Sequence, residues 1–205
     1  MDQWKKTVRH TQLGQTFTFC FCQWNHLMLF GEILVNQRKK VNRSFFLEFA
    51  GEEINGYVVK AEKLKAPINE IYDWRIDILH PDFNPAYIKT LLKTQGEKTI
   101  DDVLMDQQIF FGVGNKIRNE ALYRAGIHPL SITGKIPAAK ITRLISEVVK
   151  YANIFYKALE KNGVNKDFAV YQQEYAADGS EVTMKILPKS KRKIYFSEHR
   201  QNLHK

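Results

Sequence analysis

IDDVLMDQQIFFGVGNKIRNEALYRAGIH, residues Ile100 to His128, decides how the rest of the chain reads. Ile100, Val103 and Leu104 recur at helical spacing. After Phe110-Phe111-Gly112-Val113-Gly114-Asn115, a second run places Ile117, Ala121 and Ala125 on one face. The spacing predicts two helices joined by a glycine-bearing turn. Asn115 is a residue type that caps helix N-termini, and Gly126 suits the left-handed residue that closes one, so the second helix is bounded at both ends. The unpaired amides expected at its start, on Lys116, Ile117 and Arg118, lie beside two glycines that let a large anion approach closely. Lys116 and Arg118 add positive charge there, and no carboxylate occurs in that turn before Glu120. On these features alone the pattern suits a phosphate site and an ordinary helical hairpin, whose glycines only make the bend, equally well.

The stretch resembles the helix-two-turn-helix signature of the formamidopyrimidine-DNA glycosylase and endonuclease VIII family. Leu104, Met105, Asp106 and Gln107 match its leading helix, and Gly112, Gly114 and Asn115 match its turn. Glu120, Ala121, Leu122, Ala125, Gly126, Ile127, His128 and Pro129 match its second helix and the residues just beyond, and Arg118 with Glu120 fits the endonuclease VIII branch. A gapless match across the whole stretch is far more specific than a lone glycine motif. The resemblance implies a base-excision-repair DNA glycosylase and AP lyase relative. Its partner would be double-stranded DNA, damaged or abasic, held at Gly112, Gly114, Asn115, Lys116 and Arg118.

The 205 residues suffice for one large or two small domains, and an apolar share of 44% argues for a folded chain. Lys and Arg outnumber Asp and Glu by 31 to 22, a formal charge of +9, which favours polyanionic partners. Arg38, Lys39, Lys40 and Arg43 form one basic cluster, and Lys185, Lys189, Lys191, Arg192 and Lys193 another. Cys20 and Cys22 are two apart in an apparent strand, which separates side chains on one face by roughly 6 to 7 Å. A disulfide needs about 4 Å between Cβ atoms, so free thiols in a reducing compartment are expected. With no signal peptide or long apolar run, the chain reads as a cytoplasmic protein, away from membranes and monomeric.

The predicted fold class is α+β: a small antiparallel β-sheet or sandwich, then a helix-two-turn-helix domain, then a C-terminal β-hairpin. Strict alternation in 16–22 makes a half-buried strand, and 26–35, 45–49 and 54–60 supply three more, the first of these interrupted at Gly31. Pro67, Pro81 and Pro85 mark a connection, so the expected domains are 1–84, 85–165 and 166–205. Pro137 suits a first helical position, and Ile141, Leu144, Ile145, Val148, Ala152, Phe155 and Leu159 stripe a long helix ending at Asn162-Gly163. Glu181–Ile186 and Lys193–Phe196 predict the hairpin.

That hairpin resembles the family's zinc finger in outline, but Ser197 and Arg200 stand where the last cysteine pair would be, and the upstream pair is missing. A zincless finger is expected, with no metal and no cofactor. Arg192 falls where the family places an arginine that grips a phosphate beside an extruded nucleotide. Met28, Leu29 and Phe30 resemble the trio that enters the duplex gap, and they suit core packing equally well. Asp101 stands where some relatives have a lysine.

The family's nucleophile is a proline directly after the initiator methionine, assisted by a glutamate. This sequence begins Met1-Asp2-Gln3-Trp4, so no catalytic residue is assigned and a shortened N-terminus is expected. Two alternatives arise: a module that binds damaged DNA without cutting it, and an RNA-binding protein, since a similar helical turn occurs in a ribosomal protein.

Overall fold

The structure is a computed structural model that describes residues 16–21, 25–35, 45–49, 52–63, 72–160, 168–188 and 190–205. The chain divides into two compact units, Met1–Asp73 and Trp74–Lys205. The Pro-rich connection from Trp74 onward therefore falls in the second unit, which also holds both the helices and the C-terminal hairpin.

In the first unit β1 (Thr16–Phe21), β2 (Asn25–Val35), β3 (Phe45–Phe49) and β4 (Glu52–Lys63) form one antiparallel sheet in the order β1-β2-β4-β3. The alternating sequence folds as expected, with Phe17 opposite Leu29 and Phe19 opposite Leu27. β2 runs unbroken through Gly31, and its pairing with β4 shifts there, one residue of β2 standing opposite two of β4 between Phe30↔Lys60 and Glu32↔Tyr57. Met28, Leu29 and Phe30 stand in β2, paired with β1 on one side and β4 on the other. Their side chains, and the basic cluster Arg38 to Arg43, lie outside the described residues.

The second unit opens with a 3-10 turn, Trp74–Ile76, and continues through α1 (Pro85–Lys93), α2 (Ile100–Leu104), α3 (Asn115–Ala125) and α4 (Ala138–Glu160) to β5 (Thr183–Ile186) and β6 (Lys193–Phe196). Local chemistry sets the helix starts. The Asn84 side chain accepts from the amides of Ala86 and Tyr87, both at 3.0 Å, with Pro85 in the first turn where a missing N–H costs nothing. Thr99 accepts from the Asp102 amide at 3.3 Å. Pro137 stands just before α4, where its carbonyl accepts from the Ile141 amide, one place earlier than predicted.

Leu144, Ile145, Val148, Ala152 and Phe155 of the α4 stripe are buried, joined by Tyr151, and α4 packs on α3. α3 is buried almost all round, polar Arg118, Asn119 and Glu120 included. It closes on Gly126 at φ 68°, as its sequence predicts. Its start differs: Gly114 is the cap, with no side-chain hydrogen bond, and Asn115 is already the first helical residue. β5 and β6 pair antiparallel from Thr183 opposite Phe196 to Ile186 opposite Lys193. The last residues then run back along the end of α3: His128 N–H donates to Asn202 O at 2.9 Å and Ile132 N–H to His204 O at 2.8 Å. No helix among the described residues is long and apolar enough to cross a membrane.

A Cβ at Gly126 would meet the Arg200 carbonyl at 3.4 Å, in a conformation L-residues rarely adopt. Gly126→Ala is expected to lower stability by about 1 kcal/mol or more, read as a lower urea midpoint at unchanged m-value.

Candidate nucleic-acid interface

The turn between α2 and α3 depends on Gly112, whose φ of 91° is open to glycine and strained for other residues. Gln107 holds that turn from inside. Its Oε1 accepts from the Gly112 amide at 3.1 Å, and its Nε2 donates to the Val113 carbonyl at 2.9 Å. Gly114 is extended, so what it contributes is the absence of a side chain beside the helix start. The Arg118 amide donates to Gly114 O at 2.9 Å. The open amides are therefore those of Asn115, Lys116 and Ile117, one residue earlier than the sequence suggested, and they have no protein partner among the described residues. Asn115 is exposed. The Lys116 ammonium lies 5.1 Å from the Phe155 ring centre and 5.8 Å from that of Phe168, so cation–π attraction keeps it beside the helix.

Arg118 is where the structure departs most from the sequence reading. It is fully buried, and its guanidinium points inward: Nε lies 3.1 Å from Asp101 Oδ1, and Nη2 donates to the Lys193 carbonyl at 2.7 Å. So placed, it does not face a phosphate from outside. Burial pushes the Asp101 carboxyl up to about 6, partly offset by Arg118, and the same burial lowers Arg118 from its ordinary value. Asp101 is thus the counter-charge of this arginine. The sequence did hold a signal: Arg118 shares its helical stripe with Ala121, Leu122 and Ala125, and a charge on an apolar stripe implies a buried partner.

Arg192 is half-exposed on the chain leading into β6, and its guanidinium makes no hydrogen bond among the described residues. The carbonyl of Lys193, the next residue, accepts from Arg118 Nη2 at 2.7 Å, and Arg118 also meets Asp101, so the backbone at 192–193 runs beside α2 and α3. The helix start and Arg192, far apart in sequence, are brought to one region of the molecule.

What brings them together is a set of residues to which sequence reading gave no role. Asn119 accepts from the Tyr195 amide at 2.8 Å and donates to Asn115 O at 2.7 Å. Glu120, fully buried, accepts from the amides of Ala169, Val170 and Tyr171 at 2.9 to 3.0 Å and pairs with Arg124 at 3.1 Å. Near the β5–β6 hairpin, Ser197 and Ser180 hydroxyls are 2.7 Å apart. Ser180 donates onward to Asp178 at 2.6 Å, so Ser197 is the donor to Ser180. The hydrogen bonds from Ser180 hold the Asp178 carboxyl below its ordinary range. Buried Gln201 accepts from the Ser197 amide at 2.9 Å and donates to Ile127 O at 2.8 Å.

Glu120→Ala would leave three main-chain donors without their acceptor. It is expected to destabilise the chain by about 3 kcal/mol or more in denaturant titrations. Asp101 keeps its proton to about pH 6 when folded and releases it near 3.8 when unfolded, so stability falls as pH rises through that window. Asp101→Asn is expected to flatten that part of the melting-temperature profile.

Residues 76–168 match the family described as Formamidopyrimidine-DNA glycosylase H2TH domain. Endonuclease 8-like 3 of Mus musculus is 27% identical over 187 residues, 86% of this chain and 31% of that protein. Formamidopyrimidine-DNA glycosylase of Shewanella denitrificans is 46% identical over 87 residues, 42% of this chain and 31% of that protein. Endonuclease 8-like 2 of Homo sapiens is 40% identical over 79 residues, 38% of this chain and 24% of that protein. The chain therefore spans about a third or less of these curated relatives. Among solved structures, a viral DNA glycosylase superposes with a TM-score of 0.73 at 18% identity, covering 92% of this chain and 83% of that one. A Lactococcus lactis Fpg complexed with FAPY-dG-containing DNA gives 0.73 at 18% identity, covering 92% and 79%. At such identities the likeness is one of fold. Residues 76–168, which carry α1 to α4, thus match the H2TH domain of formamidopyrimidine-DNA glycosylases, and the chain is similar in sequence to proteins named endonuclease 8-like and formamidopyrimidine-DNA glycosylase.

Proposed function

We propose that the Trp74–Lys205 unit grips the sugar-phosphate backbone of duplex DNA beside a damaged or abasic nucleotide. The amides of Asn115, Lys116 and Ile117 form one grip and Arg192 the other. The observation that carries this reading is the pairing, in one region of a strongly basic chain, of open amides with a guanidinium that has no hydrogen-bond partner among the described residues. A helix start aims its N–H groups and the positive end of its dipole at an anion. Gly112 and Gly114 leave room for a backbone to approach, and Lys116 adds charge at the margin. Arg118 is assigned no phosphate on this reading. Solved relatives of the same fold hold FAPY-dG DNA and DNA with an abasic site. For the first unit, the proposal carried by the family resemblance is that Met28, Leu29 and Phe30 of β2 are apolar residues for filling a gap left by an extruded base, offsetting lost stacking.

The test is fluorescence anisotropy on a duplex carrying an abasic-site analogue, over a salt series. Arg192→Ala is expected to weaken binding about tenfold and to make the log-affinity against log-salt line shallower by about 0.9, the value for one fewer phosphate neutralised. Asn115→Pro, which removes one of these amides at a first helical position that tolerates proline, is expected to weaken binding several-fold with the slope unchanged, since no charge is removed. Wild-type affinity in both variants overturns the assignment. Strand cleavage is a separate property, read by borohydride trapping on the same duplex.

A further inference from the structure

We propose that Asp101 and Arg118 are positioning residues that set Arg192 for the phosphate grip through the main chain of β6, without touching DNA themselves. The inference rests on the proposed role of Arg192. Three elements meet at this point: Asp101 in the first turn of α2, Arg118 in α3, and the carbonyl of Lys193, the first residue of β6. The guanidinium bridges them at 3.1 Å to Asp101 and 2.7 Å to Lys193 O, and both charged side chains are fully buried. Arg192 immediately precedes the held carbonyl. Its own carbonyl accepts from the Leu187 amide at 2.9 Å, and its amide donates to Ser190 Oγ at 3.4 Å. Lys191 just before it is in a left-handed conformation, φ 55°. The main chain at 192–193 is thus tied on both sides, by the hairpin turn and by Arg118, while the Arg192 side chain is left uncommitted.

The pair is poorly suited to a purely stabilising role. Both partners are shifted toward their neutral forms by burial, so their attraction returns only part of the desolvation cost. Apolar replacements of similar volume at such a pair are often neutral or stabilising. Position and stability can therefore be separated by experiment.

The full chain is compared as wild type, R192A, the double variant D101L/R118M, and the triple variant combining them, each for melting temperature and for binding to the abasic-analogue duplex over a salt series. The double variant is expected to melt no lower than wild type. It should bind about tenfold more weakly, with a slope shallower by about 0.9, as R192A does. Adding R192A to it should cause no further loss. If R192A weakens binding and the double variant binds like wild type, the positioning role is overturned and the phosphate grip stands. Losses that add in the triple variant also overturn it. If R192A itself binds like wild type, the grip falls, and this inference with it. Should the double variant melt early, D101N decides: it keeps the shape of Asp101 and removes its charge. Weaker binding in D101N that disappears in the R192A background supports the positioning role, and binding unchanged by D101N overturns it.

Discussion

Three consecutive side chains on one buried helix, Arg118, Asn119 and Glu120, hold the C-terminal part of the molecule in place. Each takes a different main-chain partner: the Lys193 carbonyl, the Tyr195 amide, and the amides of 169–171. Successive helical residues are turned by roughly 100° from one another, so three in a row fan across most of the helix circumference. That is why α3 is buried nearly all round and still carries polar residues. Lys193 and Tyr195 belong to the edge of the hairpin that β5 does not pair, since the bonded partners across the hairpin include Leu187 with Arg192. α3 supplies what a third strand would otherwise give that edge.

The C-terminal segment around the β5–β6 hairpin is closed by a chain of polar contacts. Ser197 donates to Ser180, Ser180 to Asp178, and Arg200 joins Asp178 to Tyr123, lying 4.7 Å from its ring and donating to its carbonyl at 3.2 Å. Individual hydrogen bonds of this kind contribute about 1 kcal/mol each. The closure holds because it is distributed and is anchored to a helical unit with its own apolar core.

Periodicity made the elements legible. The four strands of the first unit, the α4 stripe, the α2–α3 hairpin and the β5–β6 pair all came from spacing and turn residues, and the family resemblance gave the fold. Placement of individual side chains was less accessible. Asn115 reads as a cap from its type, yet Gly114 takes that position because the chain enters the helix already extended. Arg118 reads as a surface cation in a basic stretch, and only its stripe with Ala121 and Leu122 hinted that it turns inward. The partners that decide its role, Asp101 and the Lys193 carbonyl, are distant in sequence. No local pattern links them. The same is true of Glu120, whose main-chain donors lie some fifty residues downstream. The role proposed for Arg192 came from resemblance, and what ties its stretch of chain to α3 is the bond from Arg118 to the neighbouring Lys193 carbonyl.

The return of residues 202–204 along 126–132 has a consequence for the order in which the molecule is made. The helix pair emerges before 169–204, and its buried arginine, asparagine and glutamate then have their partners within 101–124 but not yet the main-chain partners at Lys193, Tyr195 and 169–171. Until those arrive part of their hydrogen bonding is unmade on a helix that needs covering, and closing the unit must await contacts of long sequence separation, which are slow to form. A nascent chain halted after α4 would therefore hold helices without the means to finish burying them, and would be a natural client for chaperones.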